Sequence, residues 1–359
     1  MPVSRLTADC IWNSFRASGK RHLILTGNRK SGKSTLLSQL FSKKLPGLSS
    51  HAEPKKAVYL QDNLSDETVR VGIFDPAVPG CENKMVLCGD GFTDFGIPVL
   101  NRCMENESPW ITIDEIGYLE TGCGSYLEAL RRLFDKKHVA AVVRKQNLPF
   151  VRELFSRQDV FIADLDDPFG NIGCVIMASG FGRRFGSNKL MADFHGSPLI
   201  CRILDSTENI FAQRVVVTRY EEIAKLCERR GIQTVLHNLP YRSDTVRLGT
   251  EALCKTERCM FTPSDQPMLR HETVSALALA SKNMPSSIWR PVCNDTPGSP
   301  VIFPAWAFEE LMSLPEGKGG SSIIKKYPER VHTVNIGDMF ELKDADCPDD
   351  LKELLKLPH

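Results

Sequence analysis

The sequence predicts an α/β fold in two domains. Two observations carry this: short apolar runs alternate with helix-like stretches along the chain, and two of those runs lead into glycine-rich turns. A third, the length of 359 residues, exceeds what one compact core commonly holds.

In the first half the runs are His22–Leu25, Ala57–Leu60, Trp110–Ile113 and Ala140–Val143. In the second half they are Cys174–Met177, Val215–Val217 and Thr234–Leu236. Apolar segments this short, separated by helix-length stretches, are expected to lie side by side in parallel sheets. Residues 67–95 show little periodicity and are expected to form a hairpin or a lid. Residues 164–170 read Asp-Leu-Asp-Asp-Pro-Phe-Gly, an acidic stretch with a proline and a glycine directly before a fresh apolar run. The boundary is placed there, giving domains at 1–166 and 171–359.

Composition removes several function classes. Forty-five Lys and Arg oppose 44 Asp and Glu, a net charge of +1, so there is no basic excess to neutralise an extended nucleic acid. No stretch approaches the roughly 20 apolar residues needed to span a bilayer, and the start lacks the apolar core of a signal peptide. A cytoplasmic enzyme with neither nucleic acid nor membrane as partner is expected. The 12 cysteines include no C-x-x-C pair, which speaks against a zinc or disulfide framework and for reduced, mostly buried thiols.

The first glycine-rich turn is Gly27-Asn28-Arg29-Lys30-Ser31-Gly32-Lys33-Ser34, between a strand and a helix that opens with Thr35. It fits G-x-x-x-x-G-K-[ST], in which backbone N–H groups and a helix N-terminus face phosphates. On this reading Gly27, Gly32, Lys33, Ser34 and Thr35 bind nucleotide, with Lys33 charging the β and γ phosphates and Ser34 ligating Mg²⁺. The strand Trp110–Ile113 ends in Asp114-Glu115, where a second Mg²⁺ ligand (Asp114) and a water-activating base (Glu115) are expected. The run Asp114-Glu115-Ile116-Gly117-Tyr118-Leu119-Glu120 resembles the D-E-I-G-x-x-E of the cancer-related nucleoside triphosphatase family. That resemblance covers about residues 20–165 and implies binding and hydrolysis of ATP, GTP or another nucleoside triphosphate.

The second turn, from Ala178-Ser179-Gly180-Phe181-Gly182-Arg183 to Lys189, again follows an apolar run. It resembles the L-x-x-G-x-G-x-R-x-G-x-x-K loop of nucleotidyltransferases. Further segments follow in family order: His237-Asn238 with Thr245 to Gly249, Ser264-Asp265-Gln266-Pro267, Pro297-Gly298-Ser299-Pro300-Val301, Gly317-Lys318-Gly319-Gly320, and Asp344-Ala345-Asp346-Cys347-Pro348. Together they resemble the molybdenum cofactor cytidylyltransferases. The two resemblances imply a P-loop NTPase sheet followed by a Rossmann-like nucleotidyltransferase with a mixed sheet.

The second resemblance further implies transfer of CMP from CTP to the molybdenum cofactor, with pyrophosphate released and a molybdenum hydroxylase as the partner served. It places Ala178, Ser179, Gly180, Gly182, Arg183, Lys189, Asn238 and Gly249 on the nucleotide, Asp265 and Asp346 on Mg²⁺, and Arg183 and Lys189 on the phosphates. Ser179 departs from the Ala of cytidylyl enzymes and the Gly of guanylyl relatives, so GTP remains an alternative to CTP. A guanylyl- or other small-phosphate nucleotidyltransferase, and a cofactor-delivery chaperone driven by hydrolysis at Lys33 and Glu115, remain the competing readings.

Overall fold

The computed structural model describes residues 6–78, 84–182, 184–186 and 188–357. The chain divides into two compact units, one comprising Thr7–Phe15 and Gly19–Pro168, the other built mainly from Phe169–His359.

In the first unit eight strands form one sheet, in the order Met85–Leu87, Thr68–Phe74, Ala57–Asp62, Gly47–Glu53, Trp110–Ile116, His138–Val143, His22–Thr26, Val160–Asp164. The last five run parallel. All five residues of His22–Thr26 are buried, as befits an interior parallel strand covered on both faces. Helix Gly124–Lys136 buries Tyr126, Ala129, Leu130, Leu133 and Phe134, the three- and four-residue spacing of one helical face.

The expected parallel arrangement fails at Ala57. Ala57–Asp62 pairs antiparallel with both Gly47–Glu53 and Thr68–Phe74. The chain reverses through Pro54, Lys55 and Lys56, with Lys55 at φ 56°, and so short a link cannot carry the crossover that parallel strands need. Residues 67–95 include a hairpin, Thr68–Phe74 against Met85–Leu87, before a π-helical turn at Phe92–Gly96.

The second unit holds a mixed sheet in the order Gln233–Leu236, Gln213–Thr218, Ile172–Ala178, Arg258–Pro263, Val301–Pro304, Ile288–Cys293, Thr296–Pro297, with Val331–Asn335 beside Ile288–Cys293. The first four strands are parallel, and Val301–Pro304 runs against them. From Ile172–Ala178 the chain builds outward in one direction first and then returns on the other side with Arg258–Pro263. That change of direction is a topological switch point, and the crevice beyond the carboxyl ends of these two strands is where such sheets bind ligands. The loops carrying Ser179 and Asp265 both start there.

Of the 11 described cysteines, seven are buried and all are free thiols. Burial pushes the Cys174 thiol up to about 12, so it stays protonated and acts as a small apolar side chain. Among the described residues, no helix is long and apolar enough to cross a membrane.

Candidate functional sites

The first site sits on the turn between strand His22–Thr26 and helix Lys33–Leu40. Gly27 and Gly32 have φ of 143° and 92°, values that L side chains rarely adopt and that let the backbone curl around an anion. Gly27, Gly32, Lys33, Ser34 and Thr35 line one cavity with Glu115 and Arg144. The Lys33 ammonium donates to the carbonyls of Gly27 (2.9 Å) and Asn28 (2.7 Å), folded back over the turn. Its pKa is lowered, chiefly because burial removes water from the charge.

The Ser34 hydroxyl donates to Asp114 Oδ1 at 3.0 Å, which brings together the two groups expected to share a metal. Burial raises the Asp114 pKa, and the bond from Ser34 offsets part of that rise. Glu115 forms an ion pair with Arg144, a residue at the end of strand His138–Val143 that the sequence did not single out. Lys145 follows and pairs with Asp164 at 2.7 Å, while Asp166 accepts from the Asn28 N–H at 2.8 Å. No motif marks Arg144. Only the parallel pairing of its strand with Trp110–Ile116 brings it to Glu115.

In the second site the Lys189 ammonium donates to Asp265 Oδ2 at 2.6 Å and Asp346 Oδ1 at 3.1 Å, joining three residues from distant parts of the chain. Burial acts to lower the Lys189 pKa, but the two carboxylates outweigh it and the net shift is upward. Asp344 lies close enough to be affected, its pKa raised first by burial and then by Asp265. The backbone locks this cluster, because the Ala345 N–H donates to the Asp265 carbonyl at 2.8 Å. Arg183 lies outside the described residues.

Ala178 is fully buried at the strand end, whereas Ser179 begins the loop. The Ser179 hydroxyl donates to the Val217 carbonyl at 3.0 Å and lies 2.8 Å from His237 Nε2. His237 Nδ1 accepts from the Leu239 N–H, which puts the ring proton on Nε2 and makes it the donor to Ser179. Desolvation lowers the His237 pKa and favours this neutral form, with the Arg219 charge acting in the same direction. Arg219 Nε donates to the Ser179 carbonyl at 2.7 Å, and the Tyr220 hydroxyl donates to the Gly180 carbonyl at 2.7 Å. His237, Arg219 and Tyr220 therefore hold the turn through Gly180 and Gly182, a task that no spacing in the sequence revealed. Asn238 is exposed in the loop beyond strand Gln233–Leu236.

The structure also gives Gly249 a packing role. It lies inside helix Arg242–Ala252, and a Cβ there would come within 2.4 Å of Val175 Cγ1. Its missing side chain lets the helix approach the sheet. Gly249→Ala is expected to destabilise the protein by about 1–3 kcal/mol through overpacking, more than the ~1 kcal/mol of helix propensity it gains, as read from denaturant unfolding.

A second cavity in this unit, about 340 Å³, is lined by Arg242, Arg290, Lys318 and Lys325, with Ser299 and Val301 of the proline-glycine segment. Met177 also lines it, and the Met177 carbonyl accepts from the hydroxyl of Ser264, the neighbour of Asp265. Four cations gathered in one cavity suit an anionic acceptor.

A family model described as NTPase matches residues 74–168, and one described as MobA-like NTP transferase domain matches residues 174–331. The chain joins an NTPase domain to a MobA-like NTP transferase domain. It is an enzyme of the nucleotidyltransferase kind with an NTPase domain attached.

The NTPase domain has a relative in the nucleoside-triphosphatase THEP1 of a Thermotoga species, 26% identical over 160 residues that make up 40% of this chain and 86% of the relative. The 3-deoxy-manno-octulosonate cytidylyltransferase of Helicobacter pylori is 31% identical over 102 residues, 27% of this chain and 42% of that enzyme. Among solved structures, the Rv0371c protein of Mycobacterium tuberculosis has 19% identity and a TM-score of 0.48, covering 52% of this chain and 100% of its own.

Proposed function

We propose that the transferase domain moves CMP from CTP onto the phosphate of the molybdenum cofactor, for maturation of a molybdenum hydroxylase in the cytoplasm, while the NTPase domain hydrolyses a nucleoside triphosphate such as ATP or GTP. The observation that carries the transfer is the Lys189–Asp265–Asp346 cluster, together with a cavity in the same unit that gathers Arg242, Arg290, Lys318 and Lys325 and reaches Met177, whose carbonyl accepts from Ser264 next to Asp265. The proline-glycine segment that lines this cavity is the part most specific to the molybdenum cofactor resemblance.

In this mechanism an oxygen of the cofactor phosphate forms a bond to the α-phosphorus of CTP. The bond from that phosphorus to the α–β bridging oxygen breaks, and pyrophosphate leaves with the electron pair. Two anions must approach, so the chain's main task is to hold them and offset their charge. The cations of the cavity would seat the acceptor, and the clamped turn at Ser179–Gly182 would seat the nucleotide. Lys189 would meet the phosphates.

Lys189 is itself a cation held between Asp265 and Asp346, so this donor set fits Mg²⁺, a hard ion that takes carboxylate oxygens. Asp265 and Asp346 would hold the ion, which offsets phosphate charge when bound. Ser34 and Asp114 would hold another at the P-loop.

A second acceptor reading has a specific observation behind it. The cytidylyltransferase relative names a sugar acid, 3-deoxy-manno-octulosonate, and its 31% identity favours CTP over GTP without choosing the acceptor. Pyrophosphate release is the deciding measurement, made with Mg²⁺, each of CTP, GTP and ATP, and either molybdenum cofactor or the sugar acid. The expected result is release that requires both CTP and the cofactor. Release with GTP alone would reverse the base assignment, and release with the sugar acid alone would replace the acceptor. Tight nucleotide binding with no release under any condition would favour the delivery-chaperone reading.

A further inference from the structure

Beside the P-loop cleft, the NTPase domain contains a cavity of about 570 Å³ that nucleotide hydrolysis does not account for. That volume lies within the roughly 300–1,000 Å³ common for small-molecule sites. The cavity shares Arg29, Glu115 and Arg144 with the P-loop cleft, so the two spaces meet at the group expected to orient water.

Its floor is apolar. Val71 and Phe92 are 1% and 2% exposed, core residues that nonetheless border the cavity, and Val58 and Leu119 complete the surface. Its rim is cationic, with Lys55 and Lys84 on the hairpin side. Two carboxyls also line it. Glu115 is taken up by Arg144, and Glu120 is fully buried, its carboxylate accepting the Gly117 N–H at 2.9 Å. Burial pushes Glu120 up to about 7, which reduces its negative charge near neutral pH. An apolar floor under a rim that carries Lys55 and Lys84, which form no ion pair among the described residues, selects for a flat apolar body with a negative group at its edge.

We infer that this cavity is a second ligand site of the NTPase domain, taking a small anion with a flat apolar body that packs against Glu115 and Arg144. An occupant there shields Glu115 from solvent, so bound anion lowers the turnover of nucleotide hydrolysis without weakening nucleotide binding. The kinetic half of the inference rests on the hydrolysis proposed above, and the binding half does not.

The test uses the full chain and anilinonaphthalene sulfonate, a flat aromatic anion whose fluorescence rises in apolar sites. The expected result has three parts. The probe binds equally well with and without a non-hydrolysable ATP analogue. The variant Lys55→Glu with Lys84→Glu, two exposed positions whose change leaves the fold intact, weakens binding about tenfold. Saturating probe lowers kcat for ATP hydrolysis and leaves KM unchanged.

Displacement of the probe by the ATP analogue would overturn the inference, since the cavity would then seat the nucleobase. Wild-type affinity in the lysine variant would overturn it by placing the probe elsewhere. An unchanged kcat with probe bound would overturn the placement against Glu115. If the protein hydrolyses no nucleotide even without probe, the hydrolysis reading fails, and the two binding measurements still decide the site.

Discussion

Asp265→Ala is expected to cut CTP-dependent pyrophosphate release by on the order of 10²–10³-fold, about 2.7–4 kcal/mol of transition-state stabilisation, while leaving nucleotide hydrolysis at the P-loop unchanged. Asp265 is the shorter of the two contacts to Lys189, at 2.6 Å against 3.1 Å for Asp346, and the less exposed carboxylate at 20% against 53%. Its removal leaves the half-buried Lys189 with one carboxylate partner among the described residues and takes away the better shielded ligand for a cation. Asp265→Asn keeps the shape and loses the charge, so a comparable loss in that variant would assign the effect to electrostatics. Coincident circular dichroism spectra for wild type and both variants would exclude unfolding as the cause. Wild-type turnover in Asp265→Ala would remove the cluster from the reaction.

Lys33→Ala is expected to lower nucleotide hydrolysis by a comparable factor, on the order of 10²–10³-fold, with pyrophosphate release by the transferase domain retained. The reason lies in what Lys33 touches: its ammonium caps the P-loop carbonyls of Gly27 and Asn28, and no other lysine side chain bonds to these two groups among the described residues. This variant also asks why the two domains are joined. Pyrophosphate is a sufficient leaving group for nucleotidyl transfer, so hydrolysis has no part in that chemistry. If nucleotidylation and hydroxylase activation both stay at the wild-type level in Lys33→Ala, the competing reading in which hydrolysis drives cofactor handover fails. Loss of activation with nucleotidylation intact would support handover.

Much of the candidate chemistry was legible along the chain because its residues lie in local patterns. The phosphate-binding turn at 27–34 needs glycines at fixed offsets and a lysine at the helix start, and a linear sequence displays that spacing directly. The strands at 22–26, 110–116, 138–143 and 172–178 are apolar enough to be recognised alone. The direction of Ala57–Asp62 was not legible from its apolar run, since a short buried strand reads the same either way. Its three-residue connection decided it.

What escaped the sequence depends on contacts between distant segments. Arg144 meets Glu115, His237 donates to Ser179, and Arg219 and Tyr220 clamp the loop carbonyls; Arg144, Arg219 and Tyr220 lie in no motif, and the segment that contains His237 did not reveal this contact. Gly249, which its motif segment marks for the nucleotide, also leaves room for Val175, a contact that the segment does not reveal. By itself the sequence determined the fold class, the order of the two domains and the residue types expected to meet phosphate, because these follow from local periodicity and backbone geometry. The tertiary structure alone decided that Lys189, Asp265 and Asp346 share one cluster, that four cations gather in one cavity of the same unit and that an apolar cavity opens next to Glu115. Those outcomes depend on which strands become neighbours, and pairing over long sequence separation leaves no local trace in the residues that it brings together.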